Sequence, residues 1–142
     1  MPGGIHRTPG DGRPYGLAGG AAGVREQRSI LNFLECFMIE ILYRRGEVLC
    51  LEVRGHAGAG APGQDPVCAG VSALVLTLAE NVRRQVRRGN AEKPQIRLER
   101  GFARVACQPV TDAAPAVYDT VVAGLALLGR LYPSYIKEVN YG

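Results

Sequence analysis

Residues 38–54 read MIEILYRRGEVLCLEVR, and this stretch decides the first half of the fold. Apolar residues occupy every second position on both sides of Arg45-Gly46, which is the period of a half-buried β-strand. They are Ile39, Ile41 and Tyr43 before the break and Leu49, Leu51 and Val53 after it. Two alternating runs joined by a short break containing glycine are typical of a β-hairpin. The stretch therefore predicts a hairpin that ends at Gly55.

A long amphipathic helix is predicted downstream of this hairpin. Apolar residues recur at the spacing of one helical face, and they are Val67, Val71, Leu74, Leu78, Val82 and Val86. Asp65-Pro66 marks its start, because Asp accepts hydrogen bonds from free backbone amides and proline fits the first helical position. Gly89-Asn90 marks its end.

The ββα pattern then repeats. Alternating apolar residues flank a turn at Arg100-Gly101, and they are Ile96, Leu98, Ala103, Val105 and Cys107. An apolar helix over about residues 114–131 follows, with Thr111 or Asp112 as its N-cap. The order ββαββα predicts an α+β fold, a two-layer α/β sandwich in which two helices cover one side of an antiparallel sheet. Because the second helix is apolar on more than one face, we expect a homodimer that buries it.

Composition indicates one soluble domain. The chain has 142 residues, 46% of them hydrophobic and 21% charged, with a formal net charge of +4. The most apolar stretch, residues 121–131, is shorter than the roughly 20 residues that cross a bilayer, so we expect no membrane partner. The four cysteines are widely spaced and lack a Cys-x-x-Cys pair, and the N-terminus lacks the pattern of a secretory signal. A reducing cytoplasm is therefore expected.

Residues 1–37 differ from the rest of the chain. Residues 1–23 hold eight of the 19 glycines and three of the nine prolines, a composition that buries too little apolar surface to offset chain ordering. We expect a disordered N-terminal tail or a mis-assigned start, with Met38 as the true first residue. The folded domain is then residues 38–142.

Candidate catalytic residues lie in residues 55–68, GHAGAGAPGQDPVC. Cys68 falls in the first turn of the predicted helix, where the helix dipole and free N–H groups favour the thiolate. His56, at the end of the preceding strand, could take the thiol proton as a general base. We expect the same free N–H groups to stabilise an oxyanion. The glycines between the two residues, Gly58, Gly60 and Gly63, suggest a flexible substrate loop.

Other interpretations of the same residues stay open. A cysteine at a helix start is often a small buried packing residue, and a histidine at a strand end is often a surface group. A metal site is disfavoured because only one His and one Cys converge, fewer than tetrahedral zinc requires. A phosphate-binding loop is disfavoured because the segment lacks Gly-Lys-Ser/Thr and Asp65 would repel an anion. The pattern implies no cofactor.

These residues resemble the ribosomal-processing cysteine proteases, the Prp family. The pattern shared with that family comprises Gly55-His56-Ala57, Gly63, Asp65, Val67-Cys68-Ala69 and Ser72. The resemblance runs from Met38 to near the C-terminus, and the family's element order agrees with the ββαββα prediction. The sequence departs from the family pattern at Pro62 and Pro66.

The resemblance implies a homodimeric cysteine endopeptidase that removes the N-terminal extension of a large-subunit ribosomal protein during ribosome assembly. Cys68 is then the nucleophile and His56 its proton acceptor and donor. Asp65 either orients His56 or positions the loop, or only caps the helix, and Ser72 either supports the site or hydrogen-bonds its own backbone.

Two competing functions are considered. The first is a non-catalytic, homodimeric ribosome or RNA adaptor, with phosphate contacts from four arginines of the first helix, namely Arg83, Arg84, Arg87 and Arg88. Cations near a helix C-terminus are also favoured by the helix dipole alone, so direct RNA binding is left open. The second is a structural dimer with an inert thiol at Cys68.

Overall fold

A computed structural model describes residues 38–56 and 65–142. Within these residues the elements are β1 (Glu40–Arg44), β2 (Leu49–Arg54), α1 (Pro66–Arg87), β3 (Ala91–Glu99), β4 (Phe102–Pro109), α2 (Ala113–Leu131) and β5 (Asn140–Tyr141). The predicted ββαββα order and α+β class are confirmed, and a short fifth strand is added. The N-terminal tail and the glycine-containing loop lie outside the described residues.

The strands form one sheet in the order β3-β4-β2-β1-β5 within the described part of the chain. The two predicted hairpins are antiparallel pairs, and β2 and β4 also pair antiparallel. The exception is β5, which pairs parallel to β1 through Leu42↔Asn140 and Tyr43↔Tyr141. The named strands are thus antiparallel apart from this outer pair, beside which Ile39 and Ile136 form an isolated parallel bridge, and the alternation pattern predicted neither.

Alternation along the strands gives the sheet an inner apolar face, which the helices cover. Ile41, Leu51 and Val105 are at most 2% exposed and share the core with residues of α1 and α2. Tyr118 of α2 is fully buried and donates its hydroxyl hydrogen bond to the Val105 carbonyl oxygen at 3.0 Å. This bond satisfies the one polar atom that the ring carries into the core.

The two helices pack against each other in opposite directions. A Cβ added at Gly70 would meet Leu128 at 3.3 Å, and one added at Gly124 would meet Leu74 at 3.1 Å. The start of α1 therefore lies beside the end of α2. Leu74 is half-buried against Gly124, and Val75 and Ala79, which the sequence pattern did not include, belong to the buried face of α1.

The outer side of α2 is apolar. Leu127 is 47% exposed and Leu131 is 61% exposed, whereas Leu125 on the opposite side is fully buried. By length and composition alone, α2 is the one helix among the described residues that could cross a bilayer. Its inner side, however, packs against α1 and the sheet like a helix of a globular core.

The outer strand β3 is irregular. Its pairing with β4 shifts between Glu92 and Gln95, and Lys93 within this bulge has a positive φ of 53°. Pro94 also lies in the bulge and has no N–H to donate. The ladder of β3, an edge strand, is therefore interrupted near its start.

Candidate active site

Asp65 fixes the start of α1. Its Oδ1 accepts hydrogen bonds from the backbone N–H of Val67 at 2.9 Å and of Cys68 at 3.0 Å. Its own carbonyl oxygen accepts from the N–H of Ala69 at 2.9 Å. Pro66 occupies the first helical position, where its missing N–H leaves no donor unsatisfied. The cap predicted from Asp65-Pro66 is confirmed.

The same cap contradicts our expectation of free N–H groups for an oxyanion. The N–H groups of Val67 and Cys68 are bonded to the Asp65 carboxylate, and the N–H of Ala69 is bonded to the Asp65 carbonyl. The Asp65 carboxylate is a strong acceptor that fills the positions an oxyanion would need. The first turn of α1 therefore holds Cys68 in place but does not offer these amides to a substrate.

Cys68 differs from the other described cysteines in exposure. It is half-buried and packs against the edge of the core, whereas Cys50 is 5% exposed and Cys107 is 1% exposed. Burial raises the pKa of both the Cys50 and the Cys107 thiols above the ordinary value. Cys68 is thus the described thiol that a solvent-borne reagent or peptide can reach.

His56 follows β2 and is exposed. The chain reaches it through Gly55, whose backbone has a φ of +97°. Residues that carry a side chain rarely adopt this conformation. The Gly55 N–H donates a hydrogen bond to the Gly101 carbonyl oxygen at 3.0 Å. The imidazole then lies against Gly101, in the turn between β3 and β4. The second hairpin therefore helps to fix where the histidine points.

The topology brings Cys68 and His56 to the same end of the domain. The chain passes from α1 into β3 through a tight turn closed by the hydrogen bond from the Asn90 N–H to the Gln85 carbonyl. After this turn β3 runs in the opposite direction to α1, and the two elements are in contact. Their lengths are similar, about 33 Å for α1 and about 30 Å for β3. The first turn of α1 and the turn that His56 contacts are therefore both at the end of the domain away from the Gln85–Asn90 turn.

An aromatic and basic cluster borders this end of the sheet, and sequence reasoning missed it. The guanidinium groups of Arg54 and Arg97 lie 5.1 Å and 4.9 Å from the centre of the Phe102 ring. These residues face one another only because Phe102 pairs with both neighbouring strands. Period-two alternation places all three on the outer face of the sheet, but it does not give the register that joins them.

The remaining predicted site residues fall into two groups. Ser72 is exposed, one turn beyond Cys68, and its hydroxyl makes no hydrogen bond to any described residue. Gly58, Gly60, Gly63 and Pro62 lie outside the described residues. The catalytic roles of Cys68 and His56 and the supporting roles of Asp65 and Ser72 remain predictions.

The arginines of α1 are partly neutralised. Arg83 and Arg84 both lie near the carboxylate of Glu80, at 3.9 Å and 3.4 Å. Arg84 and Arg87 occupy the last turn, where the helix dipole favours cations. This arrangement favours a solvated helix face over a phosphate-binding surface.

A comparison with protein families covers both the folded domain and the candidate site. The family model described as cysteine protease Prp matches residues 37–137, which span both His56 and Cys68. The chain belongs to the Prp family. The resemblance inferred from the site segment is therefore confirmed, and so is the prediction of a cysteine-type endopeptidase. Among curated proteins, none matches the chain closely enough to count as a relative.

Solved structures confirm the fold of this Prp-family chain. An essential ribosomal processing protease Prp from S. aureus, in complex with a covalently linked product peptide, matches with a TM-score of 0.60 at 24% identity. The S. aureus Prp in complex with a substrate peptide matches with a TM-score of 0.54 at 22% identity. Each match covers 74% of this chain and 100% of the other.

Proposed function

We propose that this Prp-family protease removes the N-terminal extension of a large-subunit ribosomal protein during ribosome assembly, in the cytoplasm. Cys68 is the nucleophile and His56 is its general base and acid. The observation that carries the proposal is the family match across residues 37–137. The S. aureus protein of the same family is described as a ribosomal processing protease, and this supports a ribosomal precursor as the substrate here.

The proposed reaction is acyl transfer through a thioester. His56 takes the proton of Cys68, and the Cys68 sulfur attacks the carbonyl carbon of the scissile peptide bond. When the tetrahedral intermediate collapses, the C–N bond breaks and the amine leaves with the proton held by His56. Water, deprotonated by His56, then hydrolyses the thioester and releases the new C-terminus. The thiol and the neutral imidazole are restored.

Asp65 supports this reaction by holding the backbone next to Cys68. Its hydrogen bonds to the N–H groups of Val67 and Cys68 hold the first turn of α1, and with it the sulfur, in one position. The oxyanion must draw its donors from groups other than the Val67, Cys68 and Ala69 amides, because these are already bonded. Ser72 is exposed on the same side of α1 and is a candidate for contact with the peptide.

The test is cleavage of the host's own precursor. The full-length chain is incubated with large-subunit ribosomal proteins of its host that carry an N-terminal extension, and the products are identified by mass spectrometry. We expect one N-terminal peptide to be released by the wild type and none by Cys68→Ala. We expect His56→Ala to slow cleavage by on the order of 10²- to 10⁴-fold. Equal cleavage by the wild type and Cys68→Ala would overturn the proposal, and so would a host whose large-subunit proteins carry no extension.

We also propose that the protein is a homodimer that buries the outer side of α2. Leu127 and Leu131 together supply the exposed apolar surface there, and removing such surface from water contributes about 25 cal/mol per Å². Light scattering after gel filtration should give twice the monomer mass. Leu127→Asp should return it to the monomer mass, whereas the same change at exposed Leu76 of α1 is the matched control. A monomeric wild type at micromolar concentration would contradict the dimer.

The non-catalytic adaptor is disfavoured, because the chain is a Prp-family cysteine protease and Glu80 partly neutralises the arginine face of α1. It predicts salt-sensitive RNA binding that is lost when Arg83 and Arg87 are replaced. Filter binding at two salt concentrations, with the Cys68→Ala variant as control for catalysis, separates it from the protease. RNA affinity together with absent cleavage would favour the adaptor.

A further inference from the structure

The turn between β3 and β4 contains a glycine that the proposed reaction does not yet explain. Gly101 has a φ of +78°. A Cβ added to it would lie 2.9 Å from Nε2 of His56, 3.4 Å from Cε1 and 3.7 Å from Cδ2. All three of the nearest atoms belong to one imidazole ring. The ring therefore rests on the space that any side chain at position 101 would occupy.

We propose that Gly101 is a positioning residue for His56. The bare backbone of the turn forms a seat for the imidazole, and this seat sets the position from which His56 exchanges its proton with Cys68. The inference rests on the proposed function, because it takes His56 as the general base. It adds that the second hairpin, 45 residues downstream in the sequence, is part of the catalytic apparatus.

The backbone around the seat has little freedom to move away. The Gly55 N–H is bonded to the Gly101 carbonyl oxygen at 3.0 Å, which ties the strand end before His56 to the turn. On its other side, a Cβ at Gly55 would lie only 2.5 Å from the Met38 carbonyl oxygen. The start of β1, the end of β2 and the β3–β4 turn are thus in close contact. A methyl group at position 101 must therefore displace the exposed histidine ring.

A small displacement of the His56 ring should have a large effect on the rate of proton transfer. Ordinary contact between heavy atoms begins near 3.5 Å, so the ring must move by roughly 0.6 Å from its 2.9 Å position. Proton transfer needs hydrogen-bond distances, and a 1 Å misplacement can cost on the order of 10²-fold in rate. Substrate binding does not need the base in place. The loss should therefore appear in kcat rather than in KM.

Gly89 provides a matched control. It also has a positive φ, +81°, but nothing lies within 4 Å of a Cβ added there. Gly89→Ala therefore reproduces the backbone strain without touching His56. Gly101→Asn provides the complementary variant, because Asn tolerates this backbone conformation better than Ala yet still carries a Cβ.

The experiment compares these three variants with the wild type and with His56→Ala. Cleavage of a peptide spanning the precursor's cleavage site gives kcat and KM, circular dichroism gives the melting temperature, and ¹⁵N NMR gives the His56 ring resonances. His56→Ala identifies those resonances, since the chain has only two histidines. We expect kcat to fall about 10- to 100-fold in both Gly101 variants, with KM within about twofold. We expect Gly89→Ala to keep kcat within about twofold while losing as much melting temperature as Gly101→Ala.

Three results decide the inference. Shifted His56 resonances and low kcat in both Gly101 variants, but not in Gly89→Ala, would support it. Normal kcat and unshifted resonances in Gly101→Asn would overturn it, even if Gly101→Ala were too unstable to assay, and the proposed function would stand. Full activity of His56→Ala would instead overturn the catalytic dyad, and the positioning role with it.

Discussion

The carboxylate of Asp65 accepts the backbone N–H of Cys68 at 3.0 Å. The residue expected to be the nucleophile is therefore held by the side chain of the residue that starts its helix. This bond, with its companion to the Val67 N–H, separates two roles that the sequence left open for Asp65. The capping role is observed. A separate role of the carboxylate toward His56 can be tested with a substitution that keeps the capping oxygen but removes the charge.

Replacing Asp65 tests whether the cap or the charge matters. Asp65→Ala leaves the Val67 and Cys68 amides without this acceptor and should cost about 1 kcal/mol of unfolding free energy, which lowers the melting temperature by about 4–8 °C. Asp65→Asn keeps a capping oxygen and should lose only a few tenths of a kcal/mol. Thermal unfolding and cleavage are measured on both variants. If Asn preserves stability but abolishes cleavage, the carboxylate has a role beyond capping.

Alkylation tests the state of the Cys68 thiol. At about pH 6.5 an ordinary thiol is almost wholly protonated, and burial alone already protects Cys50 and Cys107. Labelling of Cys68 in preference to Cys50 and Cys107 by iodoacetamide is therefore expected whether or not the thiol is activated. The informative comparison is the labelling rate of Cys68 in the wild type and in His56→Ala, measured by peptide mass spectrometry. We expect on the order of a 10-fold slower rate without the imidazole, and equal rates would indicate an inert thiol.

The pH dependence of stability tests the ion pairs of Glu52 on β2. Its carboxylate lies 2.7 Å from Arg104 Nη1 and 3.3 Å from Arg54 Nη2. Burial raises the pKa of Glu52, but the hydrogen bonds from Arg54 and Arg104 outweigh burial and leave this pKa below its ordinary value of 4.5. A lowered pKa in the folded state stabilises the protein above pH 4.5, and this contribution is lost as the pH falls through the lowered value.

Glu52→Gln should therefore destabilise the protein by about 1 kcal/mol at pH 7, and by less as the pH falls below 4.5. Urea unfolding at pH 7, 4.5 and 3.5 measures this difference. Glu99→Gln is the control, because its exposed pair with Arg97 should contribute little at any pH. A difference that stays constant across this range would contradict the assignment.

Local patterns predicted the elements because each one is encoded by neighbouring residues. Alternation around Arg45-Gly46 and Arg100-Gly101 gave both hairpins, and Asp65-Pro66 gave the start of α1. At the start of α2 the same reasoning left Thr111 and Asp112 open: Asp112 holds the N-cap position, while the Thr111 hydroxyl accepts the Ala113 N–H at 3.2 Å. β5 was missed because its two residues carry no period and depend on the free edge of β1.

The parts of the site that sequence did not predict depend on long-range contact. Gly101 was interpreted only as a turn residue, since nothing in a linear pattern places it beside His56. The oxyanion expectation was wrong for a different reason, because the information was present. An aspartate that caps a helix must consume the very amides that were expected to remain free, so the capping signal and the oxyanion expectation could not both hold at Cys68.

The interruption at Pro94 restricts how two copies of this chain can associate. An edge strand with a bulge and with one N–H missing at Pro94 is a poorer template for a further strand, and β5 already covers part of the opposite edge at Leu42 and Tyr43. A second copy therefore has little opportunity to extend the sheet across the subunit boundary. We expect the same feature to disfavour open-ended strand-by-strand association, which is consistent with the helix-on-helix contact proposed for α2.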